Sequence, residues 1–349
     1  MIVSDLDTIR VEITNKCNAR CPGCERTVDG DTHPELKKNV VEYTLADFKT
    51  MFPKEIIPNK EFFFGGTVDD PMMNKNVYDI CEYVITNDGE VTLETNTGAN
   101  TKETYERLGK LSKNTDGRLH VFFSVDGLEE TNHLYRVNVV WSKVLENMTA
   151  YSSTGGKCTW QYLVFDHNYN DIEKAKQLAN DLGIKLELRQ NVRNVKPWTS
   201  KAKVKNKETK KIETKTFEVK TTEKFVHPEL KKTLEVKKKV QPIKKSINCL
   251  MIHKGEVFVA WNKRVWPCCW FASDSFARYD YFKKLDEKLG TTWNSLQYNS
   301  LDQILGHKYY AEILQESWTN PQFKEYYYPF CYTKCGDNNA RTHYHRESA

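Results

Sequence analysis

Three cysteines close together form the segment Cys17-Asn-Ala-Arg-Cys21-Pro-Gly-Cys24. Thiolates this near one another on a short loop are metal or cluster ligands before anything else. They can bind three irons of a cubane [4Fe–4S] cluster and leave the fourth iron with no protein ligand, open to an external one. Zinc is the competing occupant, but a structural zinc takes four protein donors, and His33 is the one nearby non-cysteine candidate. A second set, Cys249, Cys268, Cys331 and Cys335, lies in the last third of the chain. Four thiolates can close a cubane completely or satisfy a structural zinc, and ligand count alone does not separate the two. In the Cys268-Cys269 doublet, Cys268 is preferred as the ligand. Cys81 and Cys158 stand alone and read as small buried apolar residues.

These loops need a scaffold, and the sequence describes one. Short β-branched and aromatic runs at Ile9–Thr14, Glu61–Phe64, Val91–Thr95, Leu119–Val125, Thr159–Phe165 and Lys185–Leu188 read as strands. Helical patterns lie between most of them. Thr44-Leu-Ala-Asp47 resembles a capping box, Asn74–Asn87 carries Val77, Ile80, Cys81 and Val84 at helical spacing, and Thr101–Lys113, Ser142–Tyr151 and Asp171–Leu182 continue the series. Gly183 is a stop for the last of them. Repeated strand–helix units imply an α/β fold of parallel strands, here six in an open, partial (β/α)6 TIM-like barrel. Functional groups of such barrels sit on loops after the strands, and the first cysteine loop follows the first strand.

The chain has 349 residues, enough for two domains or one barrel with an appendage. Hydrophobic residues make up 39% and charged residues 28%, the composition of a soluble globular protein. No apolar run reaches membrane-spanning length, and Met1–Arg10 lacks a signal-peptide core, so a cytoplasmic location is expected. Ten cysteines in such a chain argue for ligation over a disulfide framework. The expected organisation is a core barrel over 1–195, a Lys-rich insertion or linker over 196–246, and a small α+β cluster-binding domain over 247–349. The insertion carries much of the +5 net charge, and Lys211–Thr221 alternates like a polar hairpin or edge strand. Its plain reading is a solvated insertion. The sharper one is an arm for nucleic acid or an acidic partner, with only Phe217 and Phe225 available for stacking. In the last part, Gly255–Val259 and Arg264–Trp266 read as a hairpin around Asn262-Lys263. Ser300-Leu-Asp-Gln303 opens a helix with Ile304, Leu305, Tyr309, Ala311 and Leu314 on one face.

The C-x3-C-x2-C loop after a first strand resembles the signature of the radical S-adenosylmethionine (SAM) superfamily. Further segments resemble that family in the same order. Phe64-Gly65-Gly66-Thr67 stands where the family often has Gly-Gly-Glu at the SAM amino group, with Thr67 replacing the acid and leaving that contact to its hydroxyl or a backbone carbonyl. Asp69-Asp70-Pro71 resembles Gly-Asp-Pro, Thr95-Asn96-Thr97-Gly98 resembles Thr-Asn-Gly, and Ser124-Val-Asp126-Gly127 resembles the family's segment against the SAM ribose and methionine. Arg136 resembles an arginine that pairs with the SAM carboxylate. A cysteine before a small hairpin and Pro267-Cys268 after it resemble the twitch and SPASM extensions of this family, and four cysteines match the single auxiliary cluster of a twitch domain.

The resemblance implies an iron–sulfur enzyme that uses SAM, a SAM-binding [4Fe–4S] cluster, an auxiliary [4Fe–4S] cluster and an external electron donor of flavodoxin or ferredoxin type. The reaction it implies is reductive cleavage of SAM to a 5′-deoxyadenosyl radical that abstracts hydrogen from substrate. The expected substrate is a small polar molecule such as a sugar or aminocyclitol, acted on by an oxidoreductase. A peptide or protein substrate is the alternative. A third possibility is a non-catalytic metal-binding protein that contacts nucleic acid or a partner. Arg189 and Arg193, after the sixth strand, are read as ordinary surface arginines, with a clamp for carboxylate or phosphate as the alternative.

Overall fold

The computed structural model describes residues 2–191, 198–205, 212–226, 247–277 and 279–336. Within them the chain forms two compact units: Ile9–Phe225 with Val259–Lys263, and Met1–Thr8 with Val226–Phe258 and Arg264–Ala349.

The larger unit is the strand–helix series. Its strands are β1 (Thr8–Val11), β2 (Glu61–Phe64), β3 (Glu90–Thr95), β4 (Leu119–Ser124), β5 (Cys158–Val164) and β6 (Lys185–Gln190), adjacent in chain order. Neighbours from β2 to β6 pair in parallel, with Phe62 opposite Val91, Val91 opposite Leu119, Val121 opposite Cys158 and Thr159 opposite Lys185. The connecting helices include α1 (Leu45–Met51), α2 (Val77–Thr86), α3 (Lys102–Asn114), α4 (Trp141–Ser152) and α5 (Ile172–Asp181). This is the expected mixed α/β architecture with a parallel central sheet, a partial TIM-like barrel.

Alternation along the strands divides this sheet into two faces. One face packs on the helices. Phe62 and Phe64 meet Phe48 of α1 with ring centroids 5.7 and 5.8 Å apart, and Phe123 meets Tyr151 of α4 at 5.7 Å. The other face is rich in polar groups: Glu61, Thr92, Glu94, His120, Ser124, Thr159, Gln161, Glu187 and Arg189 lie on it, with Phe63, Phe122 and Leu163 among them. Their side chains bond along that face, Ser124 Oγ to Glu94 at 3.1 Å, His120 with Thr159 at 2.9 Å and Arg189 to Glu187 at 2.8 Å. With the Gln161 amide oriented to suit its neighbours, its nitrogen lies 2.9 Å from Glu94 and its oxygen 3.2 Å from Arg189. Arg189 thus belongs to this inner polar face. Arg193 lies outside the described residues.

Local rules explain the helix starts. Thr44 and Asp47 form the capping box that opens α1, with Thr44 accepting from the Asp47 N–H at 3.0 Å. Gly183 ends the turn after α5 at φ +66°, in the left-handed region that favours glycine. Part of the Lys-rich stretch forms a two-stranded antiparallel hairpin, β7 (Trp198–Lys205) and β8 (Ile212–Val219), with Lys201 opposite Thr216. Its connection and residues 227–246 lie outside the described residues.

The smaller unit contains α6 (Leu250–Lys254), β9 (Glu256–Val259), β10 (Val265–Trp266), α7 (Cys269–Ala277), α8 (Tyr279–Leu289), α9 (Leu301–Leu305) and α10 (Pro329–Cys335). Trp266 is fully buried against Phe282 and Trp293, and Tyr328 packs on Phe271 at 4.3 Å. The Ser300 capping box forms, but α9 ends before Gly306 and a π-helical turn follows over Tyr309–Ile313. The wider turn shifts the register, so Ile313 is buried where Ala311 was expected, and Ala311 is exposed.

Candidate functional site

The chain leaves β1 into the first cysteine loop, where Gly23 at φ +76° permits the tight return from Cys21 to Cys24. Three other loops, each after a strand end, place one polar group against one cysteine. Thr67, after β2, has its carbonyl 3.6 Å from Cys24 Sγ. Asn96, after β3, holds its amide nitrogen 3.7 Å from Cys17 Sγ and 2.8 Å from Asn18 Oδ1. Arg136, in the segment after β4, brings a guanidinium nitrogen 3.8 Å from Cys21 Sγ. Of the sequence-chosen residues, Thr67, Asn96 and Arg136 thus reach the three-cysteine loop and Asp126 lies behind Arg136, while Gly65 packs on Glu94 and Gly66 on Glu12. Ser124 ends β4 on the inner face, bonded to Glu94.

The supports behind these groups are themselves bonded. Asp126 accepts from Arg136 Nε at 2.6 Å and from the Leu163 N–H at 2.7 Å. Asn132 Oδ1 receives the Asp126 N–H, and Asn168 Nδ2 donates to the Asp126 carbonyl. Asp70 accepts from the Asn96 N–H at 2.8 Å and Thr95 Oγ1 at 2.9 Å, which fixes the loop that carries Asn96. Burial lifts the Asp126 carboxyl against the pull of Arg136.

Two participants, Glu12 and Arg26, carry no motif signal and escaped the sequence reading, and a third, Asp69, stood there only within Asp69-Asp70-Pro71. Glu12, at the end of β1, is buried and accepts from the N–H groups of Thr67, Val68 and Trp261. Arg26 is buried just past the third cysteine and donates to the carbonyls of Asn15 and Val68. Asp69 accepts the Gly66 N–H at 2.7 Å. Burial and the neighbouring Glu12 charge push the Asp69 carboxyl well above its ordinary range, and burial raises Glu12 as well. An acid that faces inward at a strand end just ahead of the cysteines was the available signal for Glu12.

The fit of a cluster rests on the thiols. Burial raises Cys17 well above the ordinary thiol range, with Asp70 and the other two cysteines adding to the shift, and burial raises Cys21 to about 11 despite Arg136. Buried thiols that repel one another's charge suit a cation that takes all three as thiolates and displaces their protons. Among the described residues, no four-donor set accompanies them.

The second cysteine set gathers within the smaller unit. Cys249, Cys268, Cys269, Cys331 and Cys335 line one partly open pocket whose walls are largely aromatic and apolar, Trp270, Phe271, Tyr328 and Phe330 among them. Cys331 and Cys335 lie one turn apart on α10 and share a face. An antiparallel bridge from Ile247 to Gly336 and the Asn248 N–H to Cys335 carbonyl bond bring Cys249 beside them. Cys249 and Cys268 sit just before α6 and α7, where backbone N–H groups of Met251, Ile252 and Phe271 face their sulfurs. Burial still raises Cys249 to about 11 and Cys331 to about 12. Cys268 faces Cys249 and Cys331 as well as its neighbour Cys269. Among the described residues, no three His, Cys, Asp or Glu side chains converge tightly enough to hold a single metal ion. No described helix is long and apolar enough to cross a membrane.

Residues 11–179 match the family model described as the Radical SAM superfamily. No curated protein matches the chain in sequence. Among solved structures, Streptococcus suis SuiB bound to S-adenosylmethionine is 11% identical with a TM-score of 0.47, over 76% of this chain and 61% of that one. The chain thus spans 61% of the length of SuiB. The structure of anSMEcpe with bound AdoMet and Kp18Cys peptide is 12% identical with a TM-score of 0.50, over 94% of this chain and 88% of that one. At such identities the likeness concerns the fold.

Proposed function

From the radical SAM domain formed by residues 11–179, we propose that this chain is an enzyme that reductively cleaves SAM and abstracts hydrogen from a substrate. One observation carries the reading: loops from three successive strands each set a polar group against a different cysteine of the C-x3-C-x2-C loop. Cys17, Cys21 and Cys24 would hold a [4Fe–4S] cluster with one iron left for SAM. When bound, the pair supplies a 5′-deoxyadenosyl radical, given an electron from an external donor. The chain's own part is placement. Asp126 fixes Arg136 beside Cys21, Asp70 fixes Asn96 beside Cys17, and the Gly65–Thr67 loop approaches Cys24. Ser124 stands at the inner end of β4, toward the ribose and methionine of SAM in this reading.

In the smaller unit, Cys249, Cys268, Cys331 and Cys335 would close an auxiliary [4Fe–4S] cluster. A pocket lined by thiols that do not converge on a single point suits a polynuclear cluster more than one ion. Its work would be to accept the second electron as the substrate radical becomes a closed-shell product. The polar inner face from Glu94 to Arg189 favours a small polar substrate, sugar- or aminocyclitol-like, bound through hydrogen bonds. A second reading, modification of a peptide or protein, draws on the lysine-bearing β7–β8 hairpin as a docking arm. The solved anSMEcpe complex holds a peptide, in keeping with it.

The test is anaerobic reconstitution with iron and sulfide, followed by SAM and dithionite. Formation of 5′-deoxyadenosine is expected. Its absence from protein carrying a full cluster would overturn the enzyme reading in favour of a binding protein.

A further inference from the structure

Arg26 is a buried cation that no carboxylate answers. The residue is 7% exposed and stands two places past Cys24. One guanidinium nitrogen donates to the Asn15 carbonyl and, at 3.0 Å, to the Val68 carbonyl, while its Nε is buried without a partner. Both acceptors are neutral. Arg20 and Arg136, the other guanidinium groups around the cysteine loop, pair with Asp31 at 3.4 Å and Asp126 at 2.6 Å. No described carboxylate lies within ion-pair distance of Arg26. Glu12 and Asp69 accept backbone N–H groups of the neighbouring loop, and burial raises both carboxyls. A guanidinium keeps its charge when buried, and an arginine out of water is expected to have an anion near it.

Its place points to that anion. Asn15 and Arg26 flank the segment that carries Cys17, Cys21 and Cys24, so the guanidinium ties the two ends of the cysteine loop together. The Thr27 N–H donates to the Cys24 carbonyl at 2.8 Å, which turns the chain back at Arg26. Val68 follows Thr67, whose carbonyl lies 3.6 Å from Cys24 Sγ. Three thiolates on a cubane core of charge 2+ leave one net negative charge, and one-electron reduction of the core to 1+ leaves two. We infer that Arg26 is the buried countercharge of the N-terminal cluster, and that it stabilises the reduced form more than the oxidised one. Hydrogen bonding to two carbonyls fixes the guanidinium in place, and low dielectric around it makes its charge felt. The inference rests on the cluster-binding reading above and adds a residue that sets how readily the cluster takes its electron.

The experiment is a redox titration of the full-length, iron-replete protein with dithionite as electron donor, followed by electron paramagnetic resonance, without SAM and with it. The N-terminal signal is the one missing after Cys17, Cys21 and Cys24 are changed to Ala. Arg26→Gln keeps a donor for the carbonyls and loses the charge. It should lower the equilibrium constant for reducing this cluster about ten-fold, a midpoint about 59 mV more negative, with or without SAM. Any second cluster signal should stay within about two-fold. Arg26→Lys keeps the charge and gives up the planar fork, so it should lower thermal stability but hold the reduction constant within about three-fold of wild type. It serves if the first variant folds poorly. A folded, iron-replete Arg26→Gln protein within two-fold of wild type would overturn the inference. So would an Arg26→Lys protein that shifts ten-fold, since hydrogen bonding and not charge would then matter, or a shift seen only with SAM, since the anion would then be the ligand's. Wild-type protein whose iron content is unchanged by the triple cysteine replacement would instead refute the reading on which the inference rests.

Discussion

The two cysteine sites differ most in what surrounds the sulfurs. Each thiol of the N-terminal loop has a polar group from another strand end beside it: the Thr67 carbonyl, the Asn96 amide and the Arg136 guanidinium. The C-terminal thiols sit instead in a pocket whose walls are mainly rings and aliphatic carbon, with backbone N–H groups at two of the sulfurs. Three ligands in polar company suit a cluster that must bind something else. Four ligands in apolar company suit a cluster that exchanges electrons and nothing more, since burial and N–H···S bonds tune its potential. The comparison teaches that ligand count and surroundings point the same way at each site.

The largest effect that would sharpen this contrast is expected from Cys17, Cys21 and Cys24 changed together to Ala. Iron should fall from about two cubanes to about one, and 5′-deoxyadenosine formation should drop more than about 100-fold, because in the proposed assignment only that cluster would have an open iron. Iron analysis and chromatography of the nucleoside check this. Cys331→Ala with Cys335→Ala should also remove one cluster's iron but cost less than about ten-fold in 5′-deoxyadenosine, while oxidised product stops accumulating. Thermal unfolding must be followed in parallel, since lost ligands loosen a metal-bound unit. Stoichiometric zinc in the smaller unit would break the comparison on that side.

A third, smaller effect concerns the scaffold of the open site. The Asp126 side chain is 1% exposed and its Arg136 partner 20%. Removing one member of a buried pair strands the other, at a cost of about 3 kcal/mol. Arg136→Met should therefore lower the unfolding midpoint by several degrees and weaken SAM binding, whereas the same loss of stability from a core site such as Val91→Ala should leave SAM affinity near wild type. Denaturant unfolding and calorimetry separate the two. The smallest effect lies at Asp47, held at about 2 by its bonds to Lys263 and Thr44. Its folded value lies below the unfolded one, so its contribution to stability is present above about pH 4 and is lost as the pH falls toward 2. Asp47→Asn should lower stability slightly at neutral pH and flatten the acid limb of a stability–pH curve, because the contribution present above about pH 4 is gone at every pH.

The barrel was legible because its signals are local. Glu61–Phe64 is a four-residue strand bounded by Gly65, and the Thr44 and Ser300 capping boxes each need only four residues to be read. Motif order from Cys17 to Arg136 was legible for the same reason. What escaped depends on contacts between distant segments. Glu12 gains its part only when β1 lies beside β2 and Trp261 closes over it, a pairing 249 residues apart in sequence. The β7 strand hid because lysines fill alternate positions, and its strand character comes from pairing with β8. The break between α9 and the π-helical turn rests on packing of Tyr309 and Ile313, which periodicity alone smooths into one helix.

The central claim is that the chain holds two clusters, of which only the N-terminal one meets SAM. Electron paramagnetic resonance of the reduced, reconstituted protein tests it most directly. Adding SAM should change one of two cluster signals, and that signal should be the one missing after Cys17, Cys21 and Cys24 are replaced by Ala. A SAM-induced change in the signal that survives this replacement, or no change in either signal, would contradict the account.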